Sequence, residues 1–154
     1  MTSTPSVSRM PTAPEGVTVE IALALKRRGY SVFPVPMPRA GTSPGTPGDG
    51  KTPWQSWKPW QSEQASDEQV REWFSTPQNI AVITGAVSGL VVVDADSDQA
   101  MTWAARRLPW TPLQVKTSKG WHLYFRHPGE PVRNRARIKT ETGAIALDVR
   151  ADGG

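Results

Sequence analysis

Val91-Val92-Val93-Asp94-Ala95-Asp96-Ser97 is the stretch on which the reading of this chain turns. Three β-branched residues in a row suit a buried strand, because such side chains pack well on a pleated surface. The run ends in two carboxylates spaced two apart. Strand side chains alternate between faces, so Asp94 and Asp96 would project from one face if the strand continued through them. Two like charges that close are costly unless positive charge lies between them. A hard divalent cation such as Mg²⁺ or Mn²⁺ would supply it through oxygen ligands. The plainer alternative is a polar strand end, with Ser97 or Asp98 capping a following helix. Taken alone, a D-x-D favours the plainer alternative.

Composition narrows the field. At 154 residues the chain suits one domain. It has no cysteine, which excludes disulfides, thiolate zinc sites and cysteine nucleophiles. No apolar run approaches the ~20 residues needed to span a bilayer. The opening MTSTPSVSRMPTAPEG lacks the apolar centre of a signal peptide, so a cytoplasmic protein with no membrane partner is expected. The net charge of +4 is unevenly spread: residues 1–100 sum to −2 and residues 101–154 to +6. A basic half beside a carboxylate pair suggests a polyanionic partner, nucleic acid or nucleotide.

Along the chain, residues 1–14 are rich in Ser, Thr and Pro, and a disordered tail is expected there, with the folded domain at 15–154. Val17, Ile21, Ala24 and Leu25 recur at helical spacing, and Lys26-Arg27-Arg28-Gly29 closes that helix with cations and a glycine. Residues 30–35 read as a strand that Pro34 confines to an edge. Residues 36–53 form a Pro- and Gly-dense loop, expected to be mobile, with Lys51 either solvated or presented to an anion. It lacks the spacing and context of a P-loop. Trp54, Trp57 and Trp60 could stack bases, but an aromatic cluster beside a loop more often anchors that loop to the core. Ser66-Asp67-Glu68-Gln69 is a capping box opening a helix through Val70, Trp73 and Phe74.

Residues 80–84 form an apolar strand, and Gly85–Gly89 suggests a hairpin that joins it to the D-x-D strand at the centre of the sheet. A helix over 98–107 follows. Residues 115–125 read as a second hairpin turning at Ser118–Gly120, which puts His122 and Tyr124 on one face of the return strand. A single strand histidine is ordinarily structural. Arg133, Arg135, Arg137 and Lys139 alternate at period two, so an extended segment would line one face with four cations. That array suits a phosphate backbone, or alternatively an edge strand guarded against aggregation. Residues 144–150 make a last strand carrying Asp148, and Ala151-Asp152-Gly153-Gly154 ends on a turn signal with no closing element, so a truncated C-terminal end is expected.

The order strand–D-x-D, small-x-His on a return strand, then hydrophobic–Asp resembles the archaeo-eukaryotic primase superfamily. Within it, the chain is most similar to the bifunctional DNA primase/polymerase (prim-pol) domains of phages, plasmids and mobile elements. The resemblance runs from about Ala22 to Gly154, through G-Y-x-V-F-P-V, G-K-T-P…W, N-I-A-V-I-T-G…S-G-L-V-V-V-D-A-D, T-S-K-G-W-H-L-Y-F and L-D-V-R-A-D-G-G. Members often have paired glycines before the histidine, where this chain has Gly120-Trp121, and R-G-D-G-G where it has Arg150-Ala151-Asp152. They also continue past the double glycine with further strand and a proline–serine segment.

The resemblance implies an α+β fold, a primase-like catalytic core in which an N-terminal α/β unit packs on an RRM-like palm with a mainly antiparallel sheet. It implies that Asp94, Asp96 and Asp148 are catalytic and hold two divalent ions, Mg²⁺ or Mn²⁺. His122 would contact the triphosphate or sugar of the incoming nucleotide, and Ser118, Lys119 and Arg150 would neutralise phosphate charge. The partners implied are a single-stranded or primed DNA template, dNTP or rNTP substrates, and a replicative helicase domain or protein. Template or primer tracking by Arg133, Arg135, Arg137 and Lys139 rests on periodicity alone. The expected activity is making or extending primers. Two alternatives stand beside it. A truncated nucleic-acid-binding module would not need all of Asp94, Asp96, His122 and Asp148, and a metal-dependent nuclease would degrade DNA without triphosphates.

Overall fold

A computed structural model describes residues 17–141 and 143–154. The tail expected at residues 1–14 lies outside them. The class is α+β, with helices and antiparallel sheets throughout.

The first unit comprises helix α1 (Val17–Arg27), strand β1 (Ser31–Val35), helix α2 (Asp67–Trp73) and strand β2 (Asn79–Ile83). β1 and β2 pair antiparallel as a two-stranded sheet. α1 ends as its sequence predicts: Gly29 takes φ +93° and the Tyr30 N–H reaches back to the Leu25 carbonyl at 3.2 Å. Ser66 caps α2, its hydroxyl accepting from the Gln69 N–H at 3.1 Å. Ala22, Leu23, Val32, Ala65, Val70 and Phe74 bury together as the core of this unit. Each is small enough or apolar enough to pack between helices and a narrow sheet.

The second unit is a five-stranded antiparallel sheet in the order β4-β5-β3-β7-β6. Its strands are β3 (Leu90–Ala95), β4 (Gln114–Lys116), β5 (Trp121–Arg126), β6 (Arg135–Lys139) and β7 (Ile145–Arg150). Helix α3 (Asp98–Arg107) covers one face, and Ala100 and Ala104 meet Val93, Ala95, Leu123 and Leu147 there. The small helical residues let the helix approach the sheet closely. Period-two alternation then turns Val92 and Asp94 to the opposite face, which no helix of this unit covers.

One expectation is overturned. β2 and β3 do not form a central hairpin; they belong to different sheets, joined only by a bridge between Gly85 and Leu90. Gly85, at φ +99°, leads into a single 3₁₀ turn over Ala86–Ser88, and Gly89 leaves it left-handed at φ +60°. Buried Ser88 then holds the switch in place. Its hydroxyl accepts from the Ser31 N–H at 2.8 Å and donates to the Ile83 carbonyl. The turn therefore redirects the chain between layers instead of reversing it within one.

The tryptophan cluster is corrected in part. Trp60 packs edge-on against Trp73 at 5.1 Å between centroids, as an anchor should. Trp54 and Trp57 stay 59% and 40% exposed, because the segment between them is not helical and a spacing of three gives no common face. The loop at 36–53 also has internal order that its composition hides. The Asp49 carboxylate accepts from the Gly45, Lys51 and Thr52 N–H groups, which holds its pKa far below the usual carboxylate range.

Asp152 ties the two units together. Its carboxylate accepts from the Ala86 and Val132 N–H groups, both at 2.8 Å, and lies 3.1 Å from His127 Nε2. The Ala86 and Val132 bonds in particular lower its pKa, with a smaller contribution from His127. Gly85 makes room: a Cβ there would sit 2.6 Å from an Asp152 carboxylate oxygen. A depressed carboxylate pKa stabilises the fold above the ordinary value, near pH 4, and that contribution is lost as pH falls further towards the folded-state pKa. Asp152→Ala is expected to cost about 1–2 kcal/mol at pH 7, a figure reduced for solvent screening of this partly exposed group. In urea denaturation the deficit should narrow below pH 4. A deficit unchanged at low pH would show that charge plays no part in the clamp.

Candidate active site

The sheet brings three sequence-distant side chains into one row. Asp94 on the central strand β3 is in register with His122 on β5 and with Asp148 on β7. Directly opposed side chains on neighbouring antiparallel strands lie about 4.5–5.5 Å apart at Cβ. The row one step along the strands is Tyr124–Val92–Arg150. Tyr124, Val92 and Arg150, together with His122, line a cleft of about 490 Å³, whose other wall is Leu25, Tyr30, Ile80 and Val82 of the first unit. Asp94 and Asp148 flank His122 on that face without lining the cleft.

Each member of the upper row is already engaged. His122 Nε2 lies 3.5 Å from Asp94 Oδ1. Arg150 reaches Asp148 Oδ2 at 2.8 Å, and the Arg137 N–H donates to Asp148 Oδ1 at 2.6 Å. That last bond needs an irregular strand. β6 is bulged between Arg135 and Ile138, and Arg137 sits left-handed at φ +56°, which turns its N–H to the carboxylate.

Asp96 stands just beyond β3, exposed, immediately before Ser97. The plain reading of Ser97 is also correct, since its hydroxyl caps α3 by accepting from the Ala100 N–H at 3.0 Å. Capping and carboxylate pairing thus coexist. Burial pushes the Asp94 pKa up and the Asp96 charge pushes it further, while His122 and Arg150 pull it down and Asp148 raises it. Burial, and secondarily the charge of Asp94, likewise raises the Tyr124 phenol.

Ser118 and Lys119 occupy the exposed tip of the β4–β5 hairpin, at the turn where the sequence places it. Thr117 closes the turn, its hydroxyl accepting from the Gly120 N–H at 3.0 Å. Gly120 presses on the D-x-D strand so tightly that a Cβ would fall 1.8 Å from the Ala95 carbonyl oxygen. Only glycine fits, and this packing sets the hairpin tip beside Ala95 and Asp96.

The four-cation array is not a single face. Arg133, Arg135, Arg137 and Lys139 are all exposed, but register shifts on both sides of Ile138 break their alternation. Arg133 lies before β6, bridged to Asp152. Lys51 lies in the structured loop beside Trp57, away from the carboxylate row. Tyr124 and Thr84 line the cleft without figuring among the expected site residues. The signal for Tyr124 was its position two residues after His122.

A family model described as bifunctional DNA primase/polymerase, N-terminal, matches residues 22–154. The chain belongs to that family. No curated protein matches it. Membership supports a primase/polymerase-type function in general, a nucleotidyl transfer that implies a DNA template and nucleotide substrates. Enzymes of the prim-pol family are generally dependent on divalent metal. Among the described residues of this prim-pol domain, no three His, Cys, Asp or Glu side chains converge to hold an ion as they stand. His122 and Arg150 instead lie against the carboxylates, where a cation's charge would otherwise be needed. The donor set still fits a hard ion, because a half-buried carboxylate crowded by two others favours added positive charge. Among the described residues, no helix is long and apolar enough to cross a membrane.

A raised carboxylate pKa means the fold holds that proton more tightly than the unfolded chain does. Stability therefore falls as pH climbs above the ordinary value, near 4, through the folded-state pKa. Asp94→Asn is expected to raise the melting temperature at pH 7, with the advantage shrinking towards pH 4. Thermal denaturation across that range checks it, and a variant less stable than the parent at pH 7 would contradict the electrostatic account of the row.

Proposed function

We propose that this domain is a DNA primase/polymerase that makes or extends primers on a single-stranded template, with Asp94, Asp96 and Asp148 as its catalytic carboxylates. The observation that carries the reading is the cross-strand row Asp94–His122–Asp148, whose His122 lines a cleft of about 490 Å³. The five-stranded sheet is then the palm of a primase-like core.

Phosphoryl transfer asks the protein mainly for positioning and for neutralisation of charge. Asp94, Asp96 and Asp148 would hold Mg²⁺ or Mn²⁺, and such ions supply activation of the primer 3′-hydroxyl and stabilisation of the leaving pyrophosphate. His122, half-exposed beside Asp94, would donate a hydrogen bond to the triphosphate or sugar. Arg150 neutralises phosphate charge from the adjacent row, and Ser118 and Lys119 do so from the hairpin tip. Val92 and the apolar wall of the first unit exclude water around the base and sugar. The basic residues at 133–139 contribute to nucleic-acid binding as scattered surface charge, not as one aligned strip. Origin from a phage, plasmid or other mobile element, a cytoplasmic location and a helicase partner belong to the same reading.

Extension of a primed single-stranded template with dNTPs and Mg²⁺ or Mn²⁺ tests it. Loss of a metal-binding carboxylate removes charge stabilisation of several kcal/mol, so Asp96→Ala should lower the rate by at least about 100-fold with the fold intact by circular dichroism. His122→Ala should mainly raise the KM for nucleotide. Extension that survives Asp96→Ala would sink the proposal, as would degradation of the DNA without triphosphates.

A further inference from the structure

Trp110 is the most exposed large apolar side chain among the described residues, at 80% of its surface. Its loop is nevertheless pinned. Pro109 and Pro112 stiffen it, and neighbouring Thr111 is buried with its hydroxyl bonded to the Tyr124 carbonyl at 2.6 Å. The Tyr124 N–H returns a bond to the Leu113 carbonyl at 3.1 Å, and Gln114 Nε2 donates to the Thr111 carbonyl at 2.8 Å. An ordered backbone thus holds a bare indole in solvent, at the cost of leaving that apolar area wet.

The indole does not stand alone. It overhangs a groove of about 590 Å³ that also takes in Arg28, just past α1, and Arg126, at the end of β5. Among the described residues, no acidic side chain lines this groove. Neither guanidinium makes an ion pair among the described residues. The groove shares Tyr30, Leu90, Leu113 and Tyr124 with the cleft that holds His122 and Arg150, so the two adjoin along these side chains. It lies on the β4–β5 side of the sheet, the side opposite the basic residues of β6.

We infer that the groove, leading to the adjoining cleft, is a docking track for single-stranded DNA, with Trp110 stacking a base and Arg28 and Arg126 neutralising flanking phosphates. Every base has a π-face, so one rigid aromatic with two unpaired arginines binds a strand without reading its sequence. Duplex DNA keeps its bases stacked inside and gains nothing from the indole. The inference rests on the polymerase reading for why a strand should lead into the cleft, and it names where that strand lies.

Binding of a labelled deoxythymidine oligonucleotide, followed by fluorescence anisotropy, tests it on the whole chain. Trp110→Ala should weaken binding about tenfold, with Trp110→Phe recovering most of the loss, because base stacking is worth roughly 1–3 kcal/mol and a phenyl ring retains it. Arg28→Ala and Arg126→Ala should each flatten the salt dependence of log K by about 0.7. A duplex of matched length should be insensitive to Trp110→Ala. Asp96→Ala should bind the oligonucleotide as the parent does while losing extension, which separates the track from the chemistry. If the parent fails to extend primers yet binds through Trp110 and the arginines, the track stands and the polymerase reading falls. If folded Trp110→Ala and both arginine variants bind as the parent does, or if the parent binds no oligonucleotide, the track is overturned.

Discussion

A half-buried carboxylate on the central strand, with two more carboxylates around it, is the constraint on which the rest of the structure depends. Asp94 is disfavoured as an anion by burial and by Asp96 and Asp148, and among the described residues His122 and Arg150 are what compensate it. Such an arrangement has no value as packing, since an apolar residue on that face would serve better. It has value as a place where added positive charge is welcome. A site of this kind gives up stability to hold charge in readiness, a common signature of functional sites.

Much of the backbone detail serves to hold that row. Gly120 lets the β4–β5 hairpin press against the Ala95 carbonyl, and this packing aligns His122 with Asp94 and brings the Ser118–Lys119 tip to the strand end. On the other side, the β6 bulge and the left-handed Arg137 aim a backbone N–H at Asp148. The Asp152 clamp fixes the chain where it passes between the two sheets, with Gly85 leaving space for the carboxylate. Irregular geometry is thus concentrated around the row and around the crossing between units, while the regular strands and α3 supply the core.

The parts legible in the sequence were those set by local chemistry. The Ser66 cap, the Gly29 stop, the hairpin at Ser118–Gly120 and the valine run of β3 all follow from the nearest few residues. The convergence of Asp94, His122 and Asp148 was reached through motif order, because strand pairing between residues far apart leaves no local trace. What misled was geometry that hinges on one residue's backbone. Gly85–Gly89 has the composition of a hairpin turn, yet buried Ser88 bonds both Ser31 and Ile83 and sends the strands into separate sheets. The alternating cations at 133–139 imply an extended strand, and one positive φ at Arg137 is enough to break the pattern. Asp49 and Asp152 look like ordinary loop aspartates until their N–H donors, brought in by the fold, become visible.

The central claim, that the row is a divalent-ion site facing a nucleotide cleft, is tested most directly by paramagnetic broadening of the histidine ring signals with Mn²⁺. The chain has two histidines: His122 lies in the row, while His127 is buried against Asp152. The account predicts that substoichiometric Mn²⁺ broadens the His122 ring resonances strongly and those of His127 far less, and that Asp94→Asn removes the difference. Equal broadening of both rings, or selective broadening of His122 that persists in Asp94→Asn, would contradict it.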